Sequence, residues 1–138
     1  MSAEQYQRMV NTLDKEIADL EKRKATADKK SADEQKKVAS VNISKNASAT
    51  TIKSKMSEIR RHEDAARKAS EESADLQKKI AEKRAKRNDA YLKLQKEQQT
   101  EQKKAQRVQQ QMISDMQRLY EDRIADLEKQ ALPFNCGN

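Results

Sequence analysis

The chain has almost none of the residues that interrupt helices or build compact cores. It contains one glycine, one proline, one cysteine and no tryptophan, and aromatic residues make up 3% of it. A single cysteine excludes an internal disulfide, and so few apolar side chains cannot offset the chain entropy of an ordinary globular core. No run approaches the roughly 20 apolar residues of a membrane span, and the first residues lack the basic and apolar regions of a secretory signal. We therefore expect a cytoplasmic protein without membrane partners.

Charged residues and strong helix formers make up most of what is present. Charged side chains account for 38% of the 138 residues and the mean hydropathy is -1.22. Such a composition is typical either of disorder or of long helices that share narrow apolar seams. Sustained heptad periodicity favours helices. The sequence predicts an all-α fold: an elongated antiparallel helical hairpin or coiled coil with a long second helix.

The first predicted helix covers residues 1–40. Ser2 and Gln5 have the spacing of a capping box, which places the helix start at the N-terminus. An unbroken heptad register follows, with its strongest part from Tyr6 to Leu20 and polar or small residues from Lys24 to Glu34. The register comprises Tyr6, Val10, Leu13, Ile17, Leu20, Lys24, Ala27, Ser31, Glu34, Val38 and Val41. This apolar stripe needs a partner helix.

Residues 41–51 concentrate serine, asparagine and threonine, whose short side chains bond the local backbone and compete with helix. We interpret them as the bend between two helices, with Ser48, Thr50 or Thr51 capping the second. The second helix is predicted over residues 52–131, with a candidate break near 96–106, where large apolar residues are lacking. Because Leu132 precedes Pro133, residues 132–138 are expected to be a flexible tail.

The residues of the hairpin seam are assigned from the heptad registers of the two predicted helices. After a shift in register, the second helix continues its seam from Ala69 to Leu94. The predicted hairpin seam comprises Val10, Leu13, Ile17, Leu20, Ile52, Met56, Ile59, Leu76, Ile80 and Leu94.

The two predicted helices differ greatly in length. Folded back at the bend, the first helix reaches only about Leu92 or Leu94 of the second, which leaves an apolar segment uncovered. The residues predicted to self-associate are Val108, Met112, Met116, Leu119, Ile124 and Leu127, with Ile113 and Tyr120 beside them. We favour a homo-oligomer, and among homo-oligomers we favour a dimer. The alternative is a break near residues 98–102 and a third helix that folds back.

The bend and the helix after it resemble a known family. Residues 45–61 (KNASATTIKSKMSEIRR), 74–81 (ADLQKKIA) and 94–98 (LQKEQ) resemble the N-terminal coiled-coil region of bacterial TIR-domain proteins. The resemblance covers under half of the chain and includes the serine- and threonine-rich bend as well as heptads. It implies a helical region that assembles copies of a TIR domain, and some members of that family cleave NAD in antiphage defence.

That resemblance gives this chain no catalytic residue. The TIR domain with its catalytic glutamate is expected after the coiled coil, so the chain is either the assembly region of a longer protein or a stand-alone relative. We predict a non-enzymatic module without cofactor or metal, which scaffolds or spaces linked or partner effector domains in bacterial defence. His62 is expected to have a surface or helix-pairing role, and Cys136 to be an inert thiol.

Two other functions stay open. The net charge is +7, and a basic cluster comprises Lys78, Lys79, Lys83, Arg84, Lys86 and Arg87. Such a cluster can bind nucleic acid phosphates, but only Tyr91 lies nearby for base stacking, so a solvated helix face is the favoured interpretation. The third interpretation is an adaptor whose exposed apolar residues capture a different protein.

Overall fold

The computed structural model describes residues 1–136, and the side chains of residues 1–131. It contains two helices, α1 (Ala3–Ser40) and α2 (Ala49–Cys136), joined by a loop over residues 41–48. No strand occurs within this described range. The prediction of an all-α fold with a helical hairpin and a long second helix is confirmed.

The chain divides into two compact units, Met1–Leu94 and Gln95–Asn138. The first unit is the hairpin, formed by α1, the loop and the part of α2 up to Leu94. The second unit contains the rest of α2. Each unit is described separately below.

Helix α1 begins and ends at polar side chains that bond its free backbone groups. The Ser2 hydroxyl accepts from the Gln5 backbone N–H at 3.2 Å, and Gln5 Oε1 accepts from the Ser2 backbone N–H at 2.8 Å. This is the predicted capping box. At the other end the Ser40 hydroxyl donates to the carbonyl of Lys37 at 2.9 Å, and Val41 has extended backbone angles. The helix therefore ends at Ser40, whose hydroxyl takes the place of a backbone N–H as the donor to the carbonyl of Lys37.

Helix α2 starts with Ser48 as its cap. The Ser48 hydroxyl accepts from the Thr51 backbone N–H at 3.2 Å, which satisfies one of the free N–H groups of the first turn. Of the three capping candidates, Thr50 and Thr51 lie inside the helix. The helix consequently begins at Ala49, three residues before the predicted start.

Helix α2 also extends further than predicted. It runs through residues 96–106 without a break, since glutamine, glutamate and lysine there are good helix formers. It ends at Cys136 rather than at residue 131, so residues 132–136 are helical and the expected tail is not seen there. Pro133 lacks the N–H that would bond the carbonyl four residues back, but the residue before a proline is biased away from helix rather than excluded. Residues 137 and 138 lie outside the described range.

The hairpin core is a narrow seam of apolar and small side chains. Ile17, Leu20, Leu76 and Ile80 form its central cluster, in which Ile80 is the most buried, at 1% exposure. The buried residues of α1 are Ala3, Val10, Leu13, Ile17, Leu20, Ala27 and Ser31. Those of α2 are Ala66, Ala69, Ser73, Leu76, Ile80, Ala90 and Leu94. Alanines and serines at half of these positions allow a close approach of the two helices.

Two residues predicted for the seam, Ile52 and Met56, are exposed, at 37% and 48%. The contact between Ser31 and Ser70 shows why. The helices are antiparallel, so moving nine residues forward from Ser31 along α1 corresponds to moving nine residues back from Ser70 along α2. These steps reach Ser40, the last residue of α1, and Arg61. Ile52 and Met56 therefore precede the part of α2 that α1 covers. Ile59, near the edge, is half-buried.

Candidate functional site

Three residues of the basic cluster form ion pairs with α1 inside the hairpin. Lys83 Nζ lies 2.8 Å from Glu16 Oε2, and Arg84 Nη2 lies 2.6 Å from Glu21 Oε1. A third pair joins Arg87 to Asp14, with Nε 3.0 Å from Oδ1. The Arg87 guanidinium also stacks 5.0 Å from the centre of the Tyr91 ring. These charges flank the apolar seam, as charges at heptad edge positions do in paired helices.

The pairing reduces the charge that the basic cluster offers to a ligand. Only Lys78, Lys79 and Lys86 of the cluster make no ion pair with another side chain in the part of the chain that the structure describes. At 3.6 residues per turn, Lys86 and Lys79 lie roughly 80° and 100° around the helix from Lys78. Ion pairing engages three of the six cations of the cluster, which favours the solvated-surface interpretation over a phosphate-binding stripe.

Polar side chains bridge the hairpin where its seam lacks large apolar residues. Ser31 and Ser70 share a hydrogen bond of 2.8 Å between their hydroxyls, and the Ser73 hydroxyl donates to Asp28 Oδ1. Within residues 1–131, no buried side-chain nitrogen or oxygen lacks a hydrogen-bond partner. The polar middle of the seam thus forms specific cross-helix contacts, because each buried polar group has a partner on the other helix or nearby.

His62 takes part in one of these bridges. Its Nδ1 lies 2.5 Å from Glu34 Oε2, and its Nε2 lies 4.0 Å from Glu58 Oε1. An ionised carboxylate only accepts hydrogen bonds, so the proton at Nδ1 is donated to Glu34. The short contact of His62 therefore crosses to α1, whereas Glu58 on its own helix lies at the longer distance.

Hydrogen bonds across the hairpin perturb two carboxyl groups. The hydrogen bond from His62 lowers the pKa of Glu34 below its ordinary value of 4.5, with a smaller contribution from Lys37. The hydrogen bond from Ser73 lowers the pKa of Asp28 below its ordinary value of 3.8, with Lys24 second. Donors that favour the charged form of a carboxyl act in this direction. Because folding lowers both pKa values, the hairpin should lose stability when acid pH protonates these carboxylates.

The second unit presents an apolar stripe that no residue of that unit covers. We call the following residues the apolar stripe: Val108, Met112, Ile113, Met116, Leu119, Tyr120, Ile124 and Leu127. Each of these side chains is between 50% and 70% exposed, and every residue from 98 to 131 is exposed. At 3.6 residues per turn they fall on one side of α2, spread over roughly 160°. No large apolar residue occurs between Gln95 and Arg107.

Polar contacts of the stripe's neighbours stay within the helix. Asp115 accepts from Arg118 Nη2 at 2.5 Å and from Gln111 Nε2 at 3.1 Å. Such pairs three or four residues apart support a helix by a few tenths of a kcal/mol each. Arg123 lies on the same side of α2 as the apolar stripe, where its side chain lines a shallow surface pocket with Met116, Leu119 and Tyr120.

The cross-helix polar pairs are what the sequence alone did not reveal. Glu16, Glu21 and Asp14 were not assigned a role, although their positions beside the predicted seam are where heptad charges find partners. The pairing of Glu34 with His62 required the register between the helices. A search for opposite charges flanking the two seams, once that register is known, identifies the ion pairs.

No protein family, curated protein or solved structure matches the chain. Among the described residues, no helix is long and apolar enough to cross a membrane, and no group of three or more histidine, cysteine, aspartate or glutamate residues could hold a metal ion. The side chain of Cys136 lies outside the described part of the structure.

Proposed function

We propose that this chain is a non-catalytic coiled-coil module that self-associates through the apolar stripe and thereby scaffolds or spaces effector domains. A dimer is the favoured state. Bringing copies together raises the local concentration of whatever they carry, which converts weak contacts between domains into effective ones. The resemblance to the coiled-coil region of TIR-domain proteins supports TIR-like domains as the cargo and bacterial defence as the process.

The observation that carries the proposal is the contrast between the two units. In the hairpin, heptad apolar residues such as Ile17 and Ile80 are buried against the opposite helix. In the second unit, heptad apolar residues of the same kind, such as Met116 and Leu119, are at least half exposed. Exposed apolar stripes on helices typically mark contact surfaces for other helices.

The exposed apolar area of the stripe is large enough for an interface of modest size. Burial of a large apolar side chain removes on the order of 100 Å² from water, so eight half-exposed residues offer about 500 Å² per copy. Two copies would bury about 1,000 Å², which reaches the lower limit of specific protein–protein interfaces. The stems of flanking lysine and arginine side chains would add to this area.

A matched pair of aspartate substitutions tests self-association. Leu119→Asp places a charge in the apolar stripe, whereas Leu92→Asp places the same charge on an exposed leucine of the hairpin; the two leucines are 70% and 62% exposed. We expect the native chain and Leu92→Asp to sediment as dimers and Leu119→Asp to sediment as a monomer, since a buried unpaired charge is costly. Circular dichroism of the hairpin helices should change little in either variant.

The outcomes separate the competing functions. A dimer that persists in Leu119→Asp shows that the apolar stripe is not the self-association surface. A native chain that is monomeric at every concentration contradicts self-association and favours the adaptor, whose partner is a different protein. Binding of duplex DNA or RNA at low salt that is lost after charge reversal of Lys78, Lys79 and Lys86 would instead favour the nucleic-acid interpretation.

A further inference from the structure

The two ends of the apolar stripe carry opposite charge. Residues 103–110 contain Lys103, Lys104 and Arg107 and no carboxylate, a net charge of +3. Residues 121–128 contain four carboxylates and Arg123, a net charge of -3. Both segments lie on the exposed helix of the second unit. The apolar residues lie between and among them, from Val108 to Leu127.

From this pattern we infer that the apolar stripe binds the same stripe of a second copy in the antiparallel direction. The inference rests on the proposed self-association and adds the direction of pairing. An antiparallel pair brings the basic segment of each copy to the end of the other copy that carries the acidic segment, so the favourable contact occurs twice. A parallel pair places basic beside basic and acidic beside acidic. Charges at the edges of paired helices decide orientation in this way.

In this direction four of the eight residues of the apolar stripe lie beside one another, and the other four lie beside polar residues. The middle of the apolar stripe falls between Gln117 and Arg118, so antiparallel pairing about that point sets Met116 of one copy beside Leu119 of the second. It also sets Val108 beside Leu127, at the two ends of the shared seam. The arrangement is symmetric, and the same residues of both copies therefore contribute equally, as in a two-fold dimer.

A second copy fits the charge pattern better than an unrelated partner. A different protein would need its own acidic and basic segments at the matching spacing, whereas a second copy supplies both at the required positions. The apolar area of two copies, about 1,000 Å², also reaches the lower limit of specific interfaces. The charges then select orientation while the apolar residues provide the contact.

Disulfide trapping tests the direction. In a Cys136→Ser background, Ala105→Cys and Gln130→Cys introduce thiols at exposed positions on the same side of α2 as the stripe, equally far from its middle. An antiparallel pair brings residue 105 of one copy beside residue 130 of the other. In a parallel pair these two positions are about 38 Å apart, far beyond the roughly 7 Å between Cα atoms that a disulfide tolerates.

We expect a disulfide to form when the two cysteine variants are mixed and not when either is incubated alone. Under a glutathione redox buffer, an equimolar mixture of the two variants should form the mixed disulfide, which is identified by a mass tag on one variant. Each variant alone should remain largely reduced. Disulfides within each single variant, with little mixed product, would overturn the antiparallel direction. Sedimentation of the same reduced samples reports self-association separately, so a monomer there contradicts the proposed function and a parallel dimer contradicts only the direction.

Charge reversal gives a second, independent readout. Changing Lys103, Lys104 and Arg107 to glutamate makes both ends of the stripe acidic, and we expect dimer affinity to fall roughly tenfold, as judged from surface ion pairs of 0.2–1 kcal/mol each. A parallel dimer would show little change, because like charges already face each other. Reversing the charges of residues 121–128 in the same chain should restore affinity, and failure of that rescue would contradict the antiparallel pairing.

Discussion

Ile80 is the side chain on which the hairpin should depend most. It is 1% exposed and contacts the central cluster with Ile17, Leu20 and Leu76. Replacing it with alanine removes apolar contacts and leaves a void, which for Ile→Ala substitutions in cores costs 2–5 kcal/mol. Alanine is the better helix former, which offsets a few tenths of a kcal/mol. We therefore expect Ile80→Ala to lower the free energy of opening of the hairpin by about 3 kcal/mol.

The matched control lies twelve residues further along α2. Leu92→Ala makes a comparable truncation at a leucine that is 62% exposed. Because little of that side chain is removed from water on folding, its replacement should change the free energy of opening by less than about 0.5 kcal/mol. The difference between the variants then isolates burial in the seam from the effects of helix propensity and composition.

Amide hydrogen exchange in residues 10–27 of α1 measures this quantity without interference from the second unit. Exchange of these amides requires the hairpin to open, and a loss of about 3 kcal/mol corresponds to roughly 100-fold faster exchange. We expect that increase in Ile80→Ala and less than about a threefold increase in Leu92→Ala. Equal acceleration in the two variants would refute the reasoning, since it would mean that the seam at Ile80 is not what holds the helices together.

The remaining predictions concern acid pH and a helix cap. Because the pKa values of Glu34 and Asp28 are lowered on folding, their stabilising contribution is fully present above about pH 4.5 and is lost as the pH falls through their folded pKa values. The melting temperature of the hairpin should thus decrease below that pH, and less steeply in Glu34→Gln; an unchanged profile would contradict the linkage. Ser48→Ala removes the cap of α2 and should cost about 1 kcal/mol, whereas Ser48→Asp should retain most of the native stability in the same melting measurement.

The heptad pattern is sufficient to assign most of the seam. Small and polar register positions such as Ala27, Ser31 and Ser73 are buried together with the large apolar ones. A seven-residue period identifies a helix face whatever the size of the side chains on it, which is why the register included them. The period alone does not reveal where the opposite helix ends, and Ile52 and Met56 are exposed for that reason.

Helix boundaries depended on local chemistry that the sequence indicated with unequal clarity. The capping box of Ser2 and Gln5 has a distinctive spacing and was predicted. At the start of α2, three hydroxyl residues were equivalent candidates, and only the backbone geometry identifies Ser48 as the cap. At the other end Pro133 suggests an earlier stop, but α2 continues to Cys136, because a proline makes a helix boundary probable and not certain.

The composition and periodicity of this chain by themselves determined two long helices, the face that each buries, and the presence of an apolar segment with no counterpart in the first helix. Only the tertiary structure decided which charges are neutralised. Lys83, Arg84 and Arg87 look like free cations in the sequence, but the register between α1 and α2 brings carboxylates to within 3.0 Å of each of them. The physical reason is that periodicity is a property of one helix, whereas the partner of a side chain depends on how two helices are aligned.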